Sequence, residues 1–295
     1  MALPKFSMKQ LMEAGVHFGH HTRRWNPLMT PYVYGVKDKI HIINLNKTAP
    51  LLHNALVAIE TIAAAGGKIL FVATKHQAKD IVKDAAERCG QFYVNNRWLG
   101  GMMTNWATVS QSIRRLKKLE TDIENADKLG LTKKEILNMT RDAGKLRGIF
   151  GGILEMHGVP QAVVIIDVPR EYNAVLEAKN LDMPIIGICD TNANPEFINY
   201  PIPGNDDASR AIQLYSDLFV DAILSGLEKR LGGAQGKKAS SEIKAEQADE
   251  FEENERDKVA KEKSKISEAR ESRRDKQEHK LEERINEQTT EDKGN

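Results

Sequence analysis

Residues 160–192 read PQAVVIIDVPREYNAVLEAKNLDMPIIGICDTN, and this stretch decides the fold. Two short apolar runs, AVVIIDV and MPIIGICDT, flank a segment in which Tyr172, Val175, Leu176 and Lys179 recur at helical spacing. Runs that are continuous rather than alternating suit strands buried on both faces, and a helix between two of them is the crossover of a parallel pair. The same rhythm appears upstream. Leu52, Leu56, Ile59 and Ala63 share one face of a helix predicted over Leu51 to Ala65, which Gly66-Gly67 ends before the strand KILFVAT. A second helix, His76 to Arg88, repeats Ala78, Ile81, Val82, Ala85 and Ala86, and Gly90 separates it from a short strand over Gln91 to Val94. A last helix, Ala208 to Arg230, closes the domain. The expectation is an α/β fold, a parallel sheet with helices on both faces.

Between Trp106 and Gly158 the rhythm changes. Ile136, Met139, Ala143, Leu146, Phe150 and Ile153 follow alternating steps of three and four, a heptad seam, and Thr132 with Glu135 forms a capping-box sequence. Val109, Ile113, Leu116, Leu119, Ile123 and Ala126 supply a matching stripe, and the short link Lys128 to Leu131 permits antiparallel pairing. This predicts a helical hairpin, a coiled-coil arm, inserted in the α/β domain. The chain then divides into 1–105, the first part of that domain with an N-terminal arm; 106–158, the hairpin; 159–233, the second part; and 234–295, a charged extension, partly helical or disordered.

Hydrophobic residues make up 40% of the 295 and charged residues 29%, yet the mean hydropathy is −0.49. The polarity concentrates in residues 234–295, where 15 Lys/Arg and 18 Asp/Glu leave too few large apolar side chains for a core. The net charge of +1 also conceals an asymmetry. Residues 1–120 carry 17 Lys/Arg against 7 Asp/Glu, which suits a polyanionic partner, whereas residues 121–233 carry 11 against 17. Cys89 and Cys189 show no CxxC spacing, which points away from a disulfide framework or zinc ribbon and towards a reduced, cytosolic setting. The opening MALPKFSMKQLMEAGVHF holds no long apolar run, so neither secretion nor membrane spanning is expected.

Open α/β sheets bind ligands at strand carboxyl ends where the strand order reverses, so a soluble enzyme acting on a phosphorylated or metal-bound substrate is one reading. The sequence offers that reading little. There is no GxxxxGK[ST] and no GxGxxG after a strand, and Gly66-Gly67-Lys68 precedes its strand instead of following one. No HExxH occurs, and neither Cys89, at a helix end, nor Cys189, in a strand, belongs to a legible nucleophile–base order. His17, His20 and His21, with Asp167 and Asp190 after strands and Asp206 and Asp207 in a loop, suit a metal, helix caps or phosphate contacts.

The segment Leu11 to Met29, LMEAGVHFGHHTRRWNPLM, resembles the N-terminal signature of the bacterial small-subunit ribosomal protein S2 family. FVATKHQA (71–78), NNRWLGGMMTN (95–105), the 160–192 stretch and IPGNDDA (202–208) follow in the family's order. On these five motifs the chain is identified as a member to about residue 233. The resemblance implies a flavodoxin-like α/β domain with a protruding helical hairpin, no catalysis and no required cofactor. It also implies a cytoplasmic place on the ribosome. The implied partners are small-subunit ribosomal RNA and neighbouring small-subunit proteins, ribosomal protein S1 among them, with no membrane and no small-molecule substrate.

Basic and aromatic side chains in loops meet phosphates and unstacked bases. That logic nominates Lys5, Lys9, His20, His21, Arg23, Arg24, Trp25, Lys37, Lys39, Lys75, Arg97, Trp98 and Asn105 as RNA contacts, together with Arg114, Arg115, Lys117 and Lys118 on the hairpin. Trp25 and Trp98 suit packing of an irregular loop onto the sheet equally well, and the hairpin cations suit a solvated face. The family fold would bring His20, Asp190 and Asp206 towards one sheet edge, where a structural zinc or magnesium would relieve carboxylate repulsion; the same residues also suit turn caps and RNA contacts.

Overall fold

The structure, a computed structural model that describes residues 3–231, begins with a sheet that the sequence hid. After α1 (Met8–Glu13), capped reciprocally by Ser7 and Gln10, the strands β1 (Phe18–His21), β2 (Val33–Lys37) and β3 (Ile40–Ile43) pair antiparallel in the order β1–β3–β2. They lie in the part of the chain read as carrying an N-terminal arm. Strands this short, interrupted by Gly19 and Gly35, produce no apolar run. The β2–β3 turn is made by Asp38 and Lys39, both left-handed at φ 51° and 64°, where the usual signal would be Asn-Gly.

α2 (Leu45–Ala64) starts six residues before its expected boundary, because Asn44 accepts the Asn46 N–H as a cap and Pro50 is accommodated inside the helix. Leu52, Leu56, Ile59 and Ala63 are wholly buried, as their spacing requires. The main sheet comprises β4 (Ile69–Val72), β5 (Phe92–Val94), β6 (Ala162–Ile166), β7 (Ile185–Cys189) and β8 (Tyr200–Pro203), all parallel, in the order β5–β4–β6–β7–β8. This is the flavodoxin-like order, with one reversal between β4 and β6. The sequence reading did not include β8, which carries Pro201 and Pro203. Proline cannot donate to a ladder and is tolerated because β8 is the sheet's edge.

Helix α3 (Lys79–Arg88) joins β4 to β5. The hairpin of α4 (Trp106–Glu124), one-turn α5 (Ala126–Leu129) and α6 (Lys133–Phe150) joins β5 to β6, α7 (Tyr172–Asn180) joins β6 to β7, and α8 spans 209–231. Successive strand residues face opposite sides of a sheet. Ile69, Phe71, Val164, Ile166, Ile186 and Ile188 accordingly pack with α2, α3 and α8, while Leu70, Val72, Val163, Ile165, Ile185 and Cys189 pack with α7 and the hairpin.

The hairpin is anchored in that second core, where Val109, Ile113, Leu116, Ala143 and Phe150 cluster with Leu70 and Val72. Its capping box at Thr132 and Glu135 forms as read. Further out the seam thins, and Leu119, Ile123, Ile136 and Met139, like Leu146, are only half-buried. In α7 the buried residues are Ala174, Val175, Glu177 and Ala178, with Tyr172 exposed, so the inward face is rotated from the stripe read in the sequence. The polar residue on that face has a specific duty, described below. The charged extension at 234–295 lies outside the described residues. Among the described residues no helix is long and apolar enough to cross a membrane.

Candidate functional site

The carboxyl ends of β4, β6, β7 and β8 lead into Lys75, Asp167, Asp190 and the Asp206-Asp207 pair. Lys75 reaches the carboxylates that follow β6 and β8. Its Nζ lies 2.8 Å from Asp206 Oδ1, 2.7 Å from Asp207 Oδ1 and 3.2 Å from Asp167 Oδ2. Burial opposes a charge on Lys75, but the Asp206 and Asp207 carboxylates outweigh it and raise the lysine's pKa. Asp206 is wholly buried, and its carboxyl is pushed up to about 7 by burial and by Asp190 and Asp167, against the pull of Lys75.

From the small sheet, β1 adds His20. Its Nδ1 lies 2.8 Å from Asp190 Oδ2 and its Nε2 3.3 Å from Asp207 Oδ2. The Asp190 contact raises the imidazole's pKa against the effect of burial. β1 is fixed here because the His20 N–H donates to Thr191 Oγ1, while the Thr191 amide and hydroxyl donate to Asp190 Oδ1. Gly19 permits the approach, since a Cβ on it would sit 2.6 Å from Thr191 Cγ2.

The structure therefore brings together His20, Asp190 and Asp206, adds Asp207 to them within 4.8 Å, and bridges to Asp167 through Lys75. Lys75, read from the sequence as an RNA contact, is buried here, and its ammonium is engaged by three carboxylates.

The exposed cations lie elsewhere. Arg23 and Arg24 lie in the 3-10 turn Thr22–Arg24 after β1, Lys37 ends β2, and Lys39 lies in the β2–β3 turn. The Thr22 N–H and the His21 ring both meet the Lys39 carbonyl, at 3.0 and 3.2 Å, so all four cations gather at one end of the small sheet. Trp25, 39% exposed, packs its ring 5.5 Å from that of His41. Lys5 and Lys9 are exposed, the latter 3.8 Å from Glu13. Along α4, Arg114, Arg115, Lys117 and Lys118 are all exposed, and Lys117 lies 3.0 Å from Glu155.

The 95–105 loop exposes Arg97 and Asn105 but not Trp98. The Trp98 indole N–H donates to Glu177 Oε1 at 2.9 Å, and the buried ring anchors the loop, the packing role that its sequence also suited. Glu177 Oε1 also accepts the Gly101 N–H at 2.7 Å. Its Oε2 accepts the N–H groups of Met103 and Thr104, at 3.0 and 3.2 Å, and the Thr104 hydroxyl at 3.1 Å. Burial pushes the Glu177 carboxyl up, but these donors outweigh burial and hold it below the ordinary carboxylate range. The sequence reading missed Glu177. Its one signal was a carboxylate between Ala174 and Ala178 on a helix otherwise small and apolar inside.

Comparison with known proteins places the chain among relatives. The family model described as Ribosomal protein S2 matches residues 11–226. The small ribosomal subunit protein uS2 of Rhodospirillum rubrum is 54% identical over 243 residues, covering 82% of this chain and 93% of its own. That of Bartonella henselae is 57% identical over 232 residues, covering 79% and 90%, and that of Gluconobacter oxydans 52% over 249, covering 84% and 94%.

Proposed function

The chain belongs to the ribosomal protein S2 family, a structural component of the ribosome and not an enzyme, and from this premise we propose that it binds small-subunit ribosomal RNA through the exposed cations of its N-terminal half. The observation that carries the reading is the gathering of the exposed Arg23, Arg24, Lys37 and Lys39 at one end of the small sheet. Exposed cations can displace the counterions condensed on phosphates, and that release drives association. Arg97, Asn105 and the α4 cations, exposed on the loop and hairpin, belong to the same proposal. Neighbouring small-subunit proteins, ribosomal protein S1 among them, would meet the apolar side chains exposed at Met8, Met12, Phe18, Tyr34 and Val36. The protein's place is on the ribosome in the cytoplasm.

Changing Arg23 and Arg24 together to Ala tests the reading. Incorporation into small subunits in competition with the native chain should weaken, and the salt dependence should flatten by about 0.7 to 0.9 in log–log slope for each phosphate that is no longer neutralised. Incorporation equal to the native chain's would sink the assignment.

A structural zinc or magnesium ion belongs to the same proposal, held by His20, Asp190 and Asp206. An imidazole with carboxylates suits zinc better than magnesium, which prefers oxygen ligands throughout. Asp206 Oδ2, buried without a hydrogen-bond partner, is a ready ligand atom. The ion would supply positive charge where carboxylates crowd and would catalyse nothing. Metal content of the purified chain beside Asp190→Asn decides the matter, and equal content in the two would remove the ion.

A further inference from the structure

We infer that Glu177 is the positioning residue of the 95–105 loop, holding it in the one shape that presents Arg97 to ribosomal RNA. The inference rests on the RNA reading above and supplies what lies beneath that surface. The loop joins β5 to α4 through eleven residues with no regular structure, and a segment of this length left to itself samples many shapes. Binding would then have to order it, at a cost in affinity.

Glu177 removes that freedom. One carboxylate, reached from 73 to 79 residues away in sequence, accepts five hydrogen bonds from four loop residues: Trp98, Gly101, Met103 and Thr104. Five donors saturate an ionised carboxylate, which has about four lone-pair sites and no proton to give. The bonds also set the direction of each side chain. Trp98, Met102 and Met103 turn inward, the Thr104 hydroxyl meets the carboxylate, and Arg97 and Asn105 turn out. Gly101, at φ +88°, adopts a left-handed conformation that aims its N–H at the carboxylate. At the loop's entry, Asn95 donates to the Lys79 carbonyl and Asn96 to that of Gly148, so Arg97 lies between two fixed points.

Glu177→Gln in the full chain is the test, because it keeps the side chain's size and replaces one acceptor oxygen with a donor facing donors. Amide exchange at Gly101, Met103 and Thr104 should accelerate at least tenfold while Ile69–Val72 stay protected. Affinity for small-subunit ribosomal RNA should fall, and its salt dependence should flatten as much as in Arg97→Ala. The double variant should bind within about twofold of Arg97→Ala alone, since Glu177 acts through Arg97; additive losses would make it a general stabiliser and overturn the inference. Native affinity in Glu177→Gln beside a weakened Arg97→Ala would overturn it too. Native affinity in Arg97→Ala would instead remove the RNA reading of the loop, and the inference with it. Should Glu177→Gln unfold the sheet, Trp98→Phe, which deletes a single donor, takes its place: faster loop exchange with unchanged affinity would be equally fatal.

Discussion

Lys75→Met tests whether the chain's own lysine holds the carboxylate cluster together. The side chain is 10% exposed and meets Asp206, which is wholly buried, and Asp167, which is nearly so. Its third partner, Asp207, is half exposed and contributes little after solvent screening. Removing one member of a buried ion pair leaves the other uncompensated and costs about 3–5 kcal/mol. Denaturant unfolding of the full chain in EDTA, so that no bound cation substitutes, should show a loss in that range at pH 8.5.

The loss should also depend on pH, with a definite sign. A carboxyl whose folded pKa is raised favours the folded state when protonated; this contribution is full below its unfolded value of about 4 and is lost as pH rises through the folded pKa. In the native chain the loss is complete near the folded value of about 7 for Asp206. Without Lys75, which pulls that pKa down, the decline continues above 7 at about 1.4 kcal/mol per pH unit. The variant should therefore trail the native chain by more at pH 8.5 than at pH 6. A deficit below about 1 kcal/mol, or one equal at both pH values, would refute the reasoning.

Phe150→Ala should loosen the hairpin and the sheet together, at a cost of about 3–5 kcal/mol, because Phe150 lies in one cluster with Leu70 and Val72; hydrogen exchange confined to 106–150 would contradict this. Gly226→Ala should cost about 1–3 kcal/mol by overpacking, since its Cβ would sit 2.5 Å from the Glu60 carbonyl and 2.8 Å from Ala63 Cβ where α8 crosses α2; the denaturant midpoint should fall with the slope unchanged. Burial pushes the thiols of Cys89 and Cys189 up to about 11 and about 12, so at pH 8 neither should react with a disulfide reagent before the chain unfolds, and rapid labelling would count against the packing.

The sequence disclosed what apolar periodicity can disclose. KILFVAT, AVVIIDV and MPIIGICDT became β4, β6 and β7 because strands buried on both faces need continuous apolar runs. The small N-terminal sheet and β8 escaped because glycine and proline break their runs. Short pairings of that kind are stabilised by what they pack on, which no local pattern records. At the candidate site the residue types were legible but not their geometry. Asp190 and Asp206 stood out after their strands, whereas Lys75 looked like any loop cation until the ends of β6 and β8 placed three carboxylates around it. Trp98 and Glu177 are 79 residues apart in the chain, and nothing in either segment names the other.

The hairpin also governs the order in which the sheet can close. β4 pairs with β6 in a register that joins Ile69 to Ala162, 93 residues downstream, so during synthesis the inner edge of β4 waits open until the hairpin has been made. Helices form in about a microsecond or less, faster than distant strands meet. Once α4 and α6 have paired, the span from Val94 to Ala162 shrinks to eleven residues on either flank. Closing a loop costs free energy as the logarithm of its length, so this shortening favours β6 docking by about 1 kcal/mol. An insertion that looks like an obstacle to a parallel sheet is, to the folding chain, a shortcut across it.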